Sequence, residues 1–168
     1  MRLQCGAFVV AIVGLATEGC SSATQSIASH VDKIVIVKSA HLMTLMSNDR
    51  PIRSYRVALG RSEGAKDARG DHKTPEGQYF IDSKNAASRF HLALHISYPN
   101  ASDSLRAHHA GIDPGGAIMI HGVEKQFAWL GPLQHDVDWT DGCIAVTNPE
   151  IEEVWRLVPV GTPVEIRP

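Results

Sequence analysis

Cys143 is the residue whose neighbours most favour chemistry in this sequence. It ends the stretch Thr140-Asp141-Gly142-Cys143, and the apolar run of residues 144–146 follows it. A glycine directly before the cysteine permits a tight turn that leaves the sulfur approachable. In such a turn the amides of Gly142 and Cys143 can point together at a developing oxyanion, which is worth about 3 kcal/mol per donor in acyl-transfer enzymes. The pattern indicates a cysteine nucleophile.

A thiol attacks as its thiolate, so Cys143 needs a base close by. The candidate that the spacing favours is His121, because it ends the short apolar stretch of residues 117–120 and is followed by Gly122. It precedes the cysteine by 22 positions, which is far enough for a second strand to return beside the first. We therefore predict His121 as the general base for Cys143.

The start of the chain predicts export. Arg2 is followed by an apolar run at residues 5–16, which is shorter than the roughly 20 residues that a membrane helix needs. Residues 1–20 are therefore interpreted as a signal peptide. Gly19-Cys20 followed by two serines is similar to a lipoprotein attachment site, so the mature protein is expected to be either lipid-anchored at Cys20 or cleaved nearby and soluble.

Cysteine usage supports a reactive thiol. With Cys5 in the leader and Cys20 lost or lipidated, Cys143 remains alone in an oxidising compartment, where it has no partner for a disulfide within the chain. The alternative is a buried, inert thiol, which is the usual fate of a free cysteine.

Length and charge limit the other classes. With 168 residues, 43% of them hydrophobic, we expect one domain at 31–168 after a linker at 21–30. The net charge of -2 and the scattered Lys and Arg give no basic patch, so nucleic acid is not expected as a partner. A monomer is expected.

Alternation of apolar and polar residues predicts many short strands. Turn residues and caps separate these strands from two helices. A polar, glycine-containing loop spans residues 60–74, and residues 83–88 form a polar connection. The fold class is mainly β, a sandwich or barrel-like domain with a few short helices. The strands are predicted at 33–38, 41–46, 52–59, 78–81, 90–98, 117–120 and 163–166, and the helices at 100–109 and 148–158, with Asn148 as the cap of the second helix.

Three motifs in order resemble the L,D-transpeptidase catalytic domain, or YkuD type, over most of residues 31–166. They are Thr74-Pro75-Glu76-Gly77, Ile120-His121-Gly122 and Thr140-Asp141-Gly142-Cys143. The resemblance implies a YkuD-like β fold in the periplasm that acts on peptidoglycan stem peptides. The cysteine would take an L,D-configured peptide bond at meso-diaminopimelate as a thioester, and an amine or water would release it. No metal or organic cofactor is implied.

The same resemblance assigns roles to residues. Cys143 would be the nucleophile, His121 the general acid/base, and Gly122 the residue whose carbonyl orients the imidazole. The oxyanion donors would be amides near Gly142 and Cys143.

Two positions depart from the family pattern. Asp141 replaces a histidine, and Ala145 replaces an arginine or asparagine. The stretch of residues 140–148 is most similar to a divergent branch that includes a hydrolase detaching lipoprotein from peptidoglycan. Water is therefore a rival to an amine as acceptor.

Several alternatives stay open. Asp141 is expected to cap the turn at Thr140, since aspartate bonds well to backbone amides. His95 and Tyr98 are candidates for lining the substrate groove. A zinc site built from His121, Cys143 and either Asp141 or His135 is a weaker hypothesis, because no pair has the short spacing of structural zinc ligands. A wall-binding module with an idle thiol is the non-catalytic alternative.

Overall fold

The computed structural model describes residues 30–168. The predicted signal peptide, Cys20 and the linker up to residue 29 lie outside the described residues.

One eight-stranded sheet organises the described chain, with the strand order β3-β2-β1-β8-β4-β5-β6-β7. Neighbouring strands are antiparallel except for β1 with β8 and β6 with β7, which are parallel. Two α-helices and two 3-10 segments, Lys38–Ala40 and Lys125–Asp136, connect the strands. The elements are β1 Lys33–Val37, β2 Leu42–Ser47, β3 Arg50–Arg56, β4 Gly77–Ser88, β5 His91–Ile96, α1 Ala101–Ala110, β6 Met119–His121, β7 Ile144–Ala145, α2 Asn148–Leu157 and β8 Pro163–Arg167.

The prediction of a mainly β fold with short helices is confirmed. The alternating patterns of β1 and β2 place every second side chain in the core, and Ile34, Ile36, Met43 and Leu45 are fully buried. Alternate side chains of a strand point to opposite faces, which is why this pattern was readable from the sequence.

The polar connection predicted at residues 83–88 is wrong, because β4 continues through it to Ser88. Lys84 and Asn85 pair with Leu94 and Ala93 of β5, and the register shifts on both sides of this stretch. Polar side chains suit this half of β4, since none of the residues 82–88 is buried.

Helix α2 also begins differently from the prediction. Thr147, not Asn148, is the N-cap, and its hydroxyl and amide bond to Glu150 in a capping box. The side-chain carbonyl of Asn148 instead accepts from the Val123 amide at 2.7 Å. This bond ties the start of α2 to the residues that follow β6. Ile151 and Val154 of α2 are fully buried.

Neither helix among residues 30–168 combines the length and the apolar character that a bilayer crossing requires.

Candidate active site

A cavity of about 720 Å³ lies at the β6–β7 edge of the sheet, and both Cys143 and His121 line it. The rings of Phe90 and Trp139 form part of its wall, together with apolar side chains of the 3-10 segment Lys125–Asp136. The two residues predicted from spacing therefore line the same cavity.

Strand pairing brings these two residues together. Strands β6 and β7 run parallel, with Ile120 opposite Ile144 and His121 opposite Ala145. Cys143 directly precedes β7, so its side chain enters the cavity beside the strand that carries His121.

The turn of residues 140–143, here called the cysteine turn, requires its glycine. Gly142 has φ +119°, and a Cβ at this position would lie 2.5 Å from the Lys73 carbonyl oxygen. The Thr140 hydroxyl makes two bonds within the turn. It accepts from the Gly142 amide at 3.1 Å and donates to the Cys143 carbonyl at 2.8 Å. The sulfur is thereby held on a fixed backbone.

Loop 60–74 braces the cysteine turn. The Thr140 carbonyl accepts from the Arg61 amide, and the Thr140 amide donates to Leu59, both at 3.1 Å. The loop closes on itself where the Gly60 amide donates to Thr74 Oγ1 at 2.9 Å. Thr74 belongs to the upstream Thr-Pro-Glu-Gly motif. This motif therefore stabilises loop 60–74, which in turn supports the cysteine turn.

His121 is 2% exposed and tightly oriented. Its Nδ1 lies 2.6 Å from the Gly122 carbonyl oxygen, which can only accept, so Nδ1 carries the proton and Nε2 keeps a free lone pair. Phe90 stacks on the imidazole at 4.5 Å, and Trp139 meets it edge-on at 5.8 Å. The ring is fixed in both tautomer and plane.

The residue after this histidine can only be glycine. A Cβ at Gly122 would lie 2.4 Å from Asn148 Oδ1 and 3.0 Å from the Phe90 carbonyl oxygen. The start of α2 therefore packs directly on the backbone that orients His121.

The electrostatics favour a neutral pair. Burial lowers the pKa of His121, although the bond to Gly122 acts in the opposite direction. Burial also raises the pKa of Cys143, partly offset by a bond from the Met119 backbone. The thiol sulfur lies 3.6 Å from the Ala117 carbonyl oxygen as a donor. Both pKa directions, and the contact of the thiol with a carbonyl oxygen, favour a thiol and a neutral imidazole over an ion pair.

Of the two expected oxyanion donors, one is already engaged. The Gly142 amide donates to Thr140 Oγ1, whereas the Cys143 amide donates to no acceptor in the described part of the chain. The Cys143 amide is therefore the one available to a ligand.

Asp141 lies on the cavity rim with a side chain that is 74% exposed. Its carboxylate pairs with Arg61 Nη2 and His72 Nδ1, each at 2.8 Å. The expectation that it caps the turn is wrong, because the Thr140 hydroxyl bonds the turn amide while Asp141 ties the turn to loop 60–74.

His95 and Tyr98 lie outside the Cys143 cavity. His95 Nδ1 pairs with Asp82 at 2.7 Å, and Tyr98 is buried with its hydroxyl donating to the Pro114 carbonyl at 3.1 Å. Neither residue lines the Cys143 cavity as expected, because this stretch contributes Arg89 and Phe90, which precede β5, and no residue of β5 itself.

The zinc hypothesis also lacks its geometry. Within residues 30–168 no three His, Cys, Asp or Glu side chains converge as a metal site would require. His135 Nε2 instead accepts from the side-chain amide of Gln134 at 3.1 Å and lies 3.8 Å from Glu150 Oε2.

Several cavity residues were missed by the sequence analysis. The 3-10 segment contributes Phe127, Leu133 and neighbours, although 48% and 65% of these two residues remain exposed. Arg89 and Glu124 add the cavity's other charges. The available signal was an apolar run without strand or helix period at residues 127–133, which is typical of a surface that contacts a ligand.

Comparisons with known proteins agree with this geometry. The sequence profile described as the L,D-transpeptidase catalytic domain, YkuD, matches residues 32–166. YafK of Escherichia coli (strain K12), which carries the name of an L,D-transpeptidase, is 35% identical over 97 residues, covering 56% of this chain and 32% of YafK. The chain thus spans about a third of that relative's length.

Solved structures share the fold. The helical cell shape determining protein Pgp2 from Campylobacter jejuni is 26% identical with a TM-score of 0.66, over 81% of this chain and 47% of Pgp2. Bd1075 of Bdellovibrio bacteriovorus is 23% identical with a TM-score of 0.57, over 84% of this chain and 49% of Bd1075. Because the family profile covers most of the sequence, the chain belongs to the L,D-transpeptidase catalytic domain (YkuD) family.

Proposed function

We propose that the protein is a cysteine acyltransferase that acts on peptidoglycan stem peptides at meso-diaminopimelate through a thioester. One observation carries this proposal: an imidazole with its Nδ1 proton fixed on the Gly122 carbonyl shares a cavity with the Cys143 thiol. Family membership supports the same reaction class.

His121 is the general base in this mechanism. As Cys143 Sγ attacks the peptide carbonyl carbon, His121 Nε2 takes the thiol proton. The carbonyl oxygen becomes an oxyanion that the Cys143 amide stabilises. When this intermediate collapses, the imidazolium returns the proton to the leaving amine, and the acyl group remains on sulfur.

The second half repeats these steps with an acceptor. His121 takes a proton from an incoming amine or water, which attacks the thioester carbon, and the thiolate leaves and is reprotonated. Transfer to an amine makes a crosslink, whereas water gives a hydrolase or carboxypeptidase that releases a peptide or a linked lipoprotein. The exposed Asp141 rim supports the hydrolytic alternative, because water can reach the cavity there.

We further propose that the protein works in the periplasm, either soluble or anchored at Cys20, and as a monomer. The predicted leader supports export. Mass spectrometry of the membrane fraction should find either a lipid on Cys20 or a chain cleaved nearby, and an uncleaved leader would contradict both forms.

Covalent labelling by a carbapenem tests the mechanism. Cys143→Ala should abolish the adduct, and His121→Ala should slow its formation by about 10² to 10⁴. Incubation of the wild type with diaminopimelate-containing muropeptides, with and without an amine, then separates crosslinks from shortened peptides by mass. Equal labelling of all three proteins would exclude the mechanism. If Cys143→Ala leaves the muropeptides of a cell lacking relatives unchanged, the wall-binding alternative is correct.

A further inference from the structure

Two opposite charges at the cavity form a loose ion pair with each other. Arg89 and Glu124 both line the cavity that holds Cys143, and their closest N···O distance is 3.5 Å. No hydrogen bond joins them, and the Arg89 guanidinium bonds to no acceptor in residues 30–168. Most cavity residues are apolar, so these charges stand out as places where a charged ligand group would bind.

The guanidinium lies over an aromatic ring, although the Arg89 side chain is 77% exposed. Arg89 Cζ lies 4.7 Å from the centre of the Phe90 ring, which in turn stacks on His121. A stacked guanidinium keeps its N–H donors free in its own plane, which suits a carboxylate that accepts two bonds. The contact with Phe90 places Arg89 at the His121 side of the cavity.

Glu124 complements this cation. Its side chain is 25% exposed, and one oxygen accepts from Gln126 at 2.9 Å while the other faces Arg89. A carboxylate in this position can accept from an ammonium group. The pair thus offers a cation for a carboxylate and an anion for an ammonium, a few ångströms apart.

Free α-amino acid ends carry these two charges on one carbon. We propose that Arg89 and Glu124 form a subsite for the zwitterionic end of the diaminopimelate side chain, with its carboxylate on Arg89 and its ammonium on Glu124. This inference rests on the proposed function, because the same substrate must place its other carbonyl at Cys143. The subsite determines which donor peptides are accepted.

Chemical changes to the donor test each half of the subsite. For the wild type, amidation of the side-chain carboxylate should lower kcat/KM by roughly 10- to 100-fold, as should acetylation of the amine, since each removes a hydrogen-bonded charge. In Arg89→Gln the kcat/KM of the free donor should fall to that of the amidated donor, and amidation should have no further effect. In Glu124→Gln the kcat/KM of the free donor should fall to that of the acetylated donor. The kcat/KM of Arg89→Lys for the free donor should lie between those of Arg89→Gln and the wild type.

The matched control is Arg156→Gln, because Arg156 is an exposed arginine in α2 that does not line the cavity. This variant should keep the wild-type ratio of kcat/KM between free and modified donors. The charge of Arg89 also contributes to the lowered pKa of His121. If Arg89 acted only through the imidazole, Arg89→Gln would slow free and amidated donors equally, and that result would overturn the proposal. A wild type indifferent to both modifications would overturn it as well.

Binding separates this proposal from the reaction. The Kd of each donor for the Cys143→Ala protein can be measured without turnover. Weaker binding of both modified donors supports the subsite even where the wild type makes no product, a result that would count against the proposed acyl transfer alone. Equal binding of all donors removes the subsite.

Discussion

The cysteine turn and the 3-10 segment Lys125–Asp136 line the same cavity, but they differ in how fully their groups are bonded. In the turn, the Thr140 hydroxyl, carbonyl and amide are all bonded, and Gly142 packs against Lys73. In the 3-10 segment, Gln134 Oε1 is buried without a partner in the described residues.

The 3-10 segment also carries signs of looser packing. Gly131 interrupts it with φ 50° and ψ -131°, and the nearby Trp129 and Leu133 are 76% and 65% exposed. We infer that the wall bearing the thiol is built for fixed geometry, whereas the more exposed 3-10 segment can adapt to a ligand. Catalytic groups need fixed placement to within fractions of an ångström, while a binding wall does not.

Removing the carboxylate that organises loop 60–74 should have the largest effect. Asp71 accepts from Lys66 at 2.7 Å, and the Lys66 side chain is 4% exposed. Although burial alone would raise it, bonds from Lys66 and backbone amides hold the pKa of Asp71 well below its usual value. Asp71→Ala leaves a buried charge unpaired, so we expect a loss of about 3 to 5 kcal/mol in denaturant unfolding and slower carbapenem labelling.

The exposed pair of Arg69 with Asp113 provides the control, since its side chains are 73% and 58% exposed. Asp113→Ala should cost only about 0 to 1 kcal/mol. If the two variants lose the same stability, loop 60–74 does not brace the cysteine turn through Asp71.

Gly142→Ala should have the second largest effect on stability and on acylation. The added Cβ meets the Lys73 carbonyl at 2.5 Å in a backbone with φ +119°, so we expect a loss of about 2 to 4 kcal/mol and much slower acylation. Gly161 has φ +91°, and a Cβ added there would have no neighbour within 4 Å, so Gly161→Ala should cost about 1 to 2 kcal/mol and leave acylation intact. Thermal unfolding and labelling rates compare the two, and a Gly142→Ala protein that acylates normally would show that the turn tolerates change.

The pH dependence of acylation reports on the protonation of His121 and Cys143. Because burial lowers the pKa of His121, the base stays neutral to below pH 6.5, and the rate should rise with pH through a midpoint under that value. The unfolded chain binds more protons than the folded one in this window, so the free energy of unfolding should fall as pH falls below 6.5. A rate that rises only with the thiol's own ionisation at alkaline pH would remove His121 as the base.

The smallest effect concerns the adaptable wall. Gln134→Leu removes a buried acceptor that lacks a partner among the described residues, at the loss of one bond to His135, so stability should stay equal or rise by about 1 kcal/mol. Gln126→Leu, at an exposed glutamine, should change stability by less than about 0.5 kcal/mol. A clear loss in Gln134→Leu alone would mean that this segment is as fully bonded as the cysteine turn.

Much of the framework could be predicted from the sequence. The alternation in β1 and β2 and the apolar face of α2 led to correct elements, because burial imposes these periods directly on the sequence. The errors fell where local pattern was weak. The second half of β4 is polar because it is exposed, and the choice of Thr147 over Asn148 as the cap depended on a bond from Val123, a residue distant in the chain.

Residue types and their immediate neighbours were enough to predict the candidate chemistry: a lone thiol after a glycine, behind a predicted leader, and a histidine before another glycine at a strand end. These are properties of residue type and neighbour, and they need no partner from elsewhere in the chain. Their surroundings could be seen only once the chain was folded. The parallel pairing of β6 with β7 and the charges of Arg89 and Glu124 at the cavity arise from contacts between distant segments. Such contacts depend on packing of the whole sheet, so the 22-position spacing allowed the strand pairing but did not specify its direction or register.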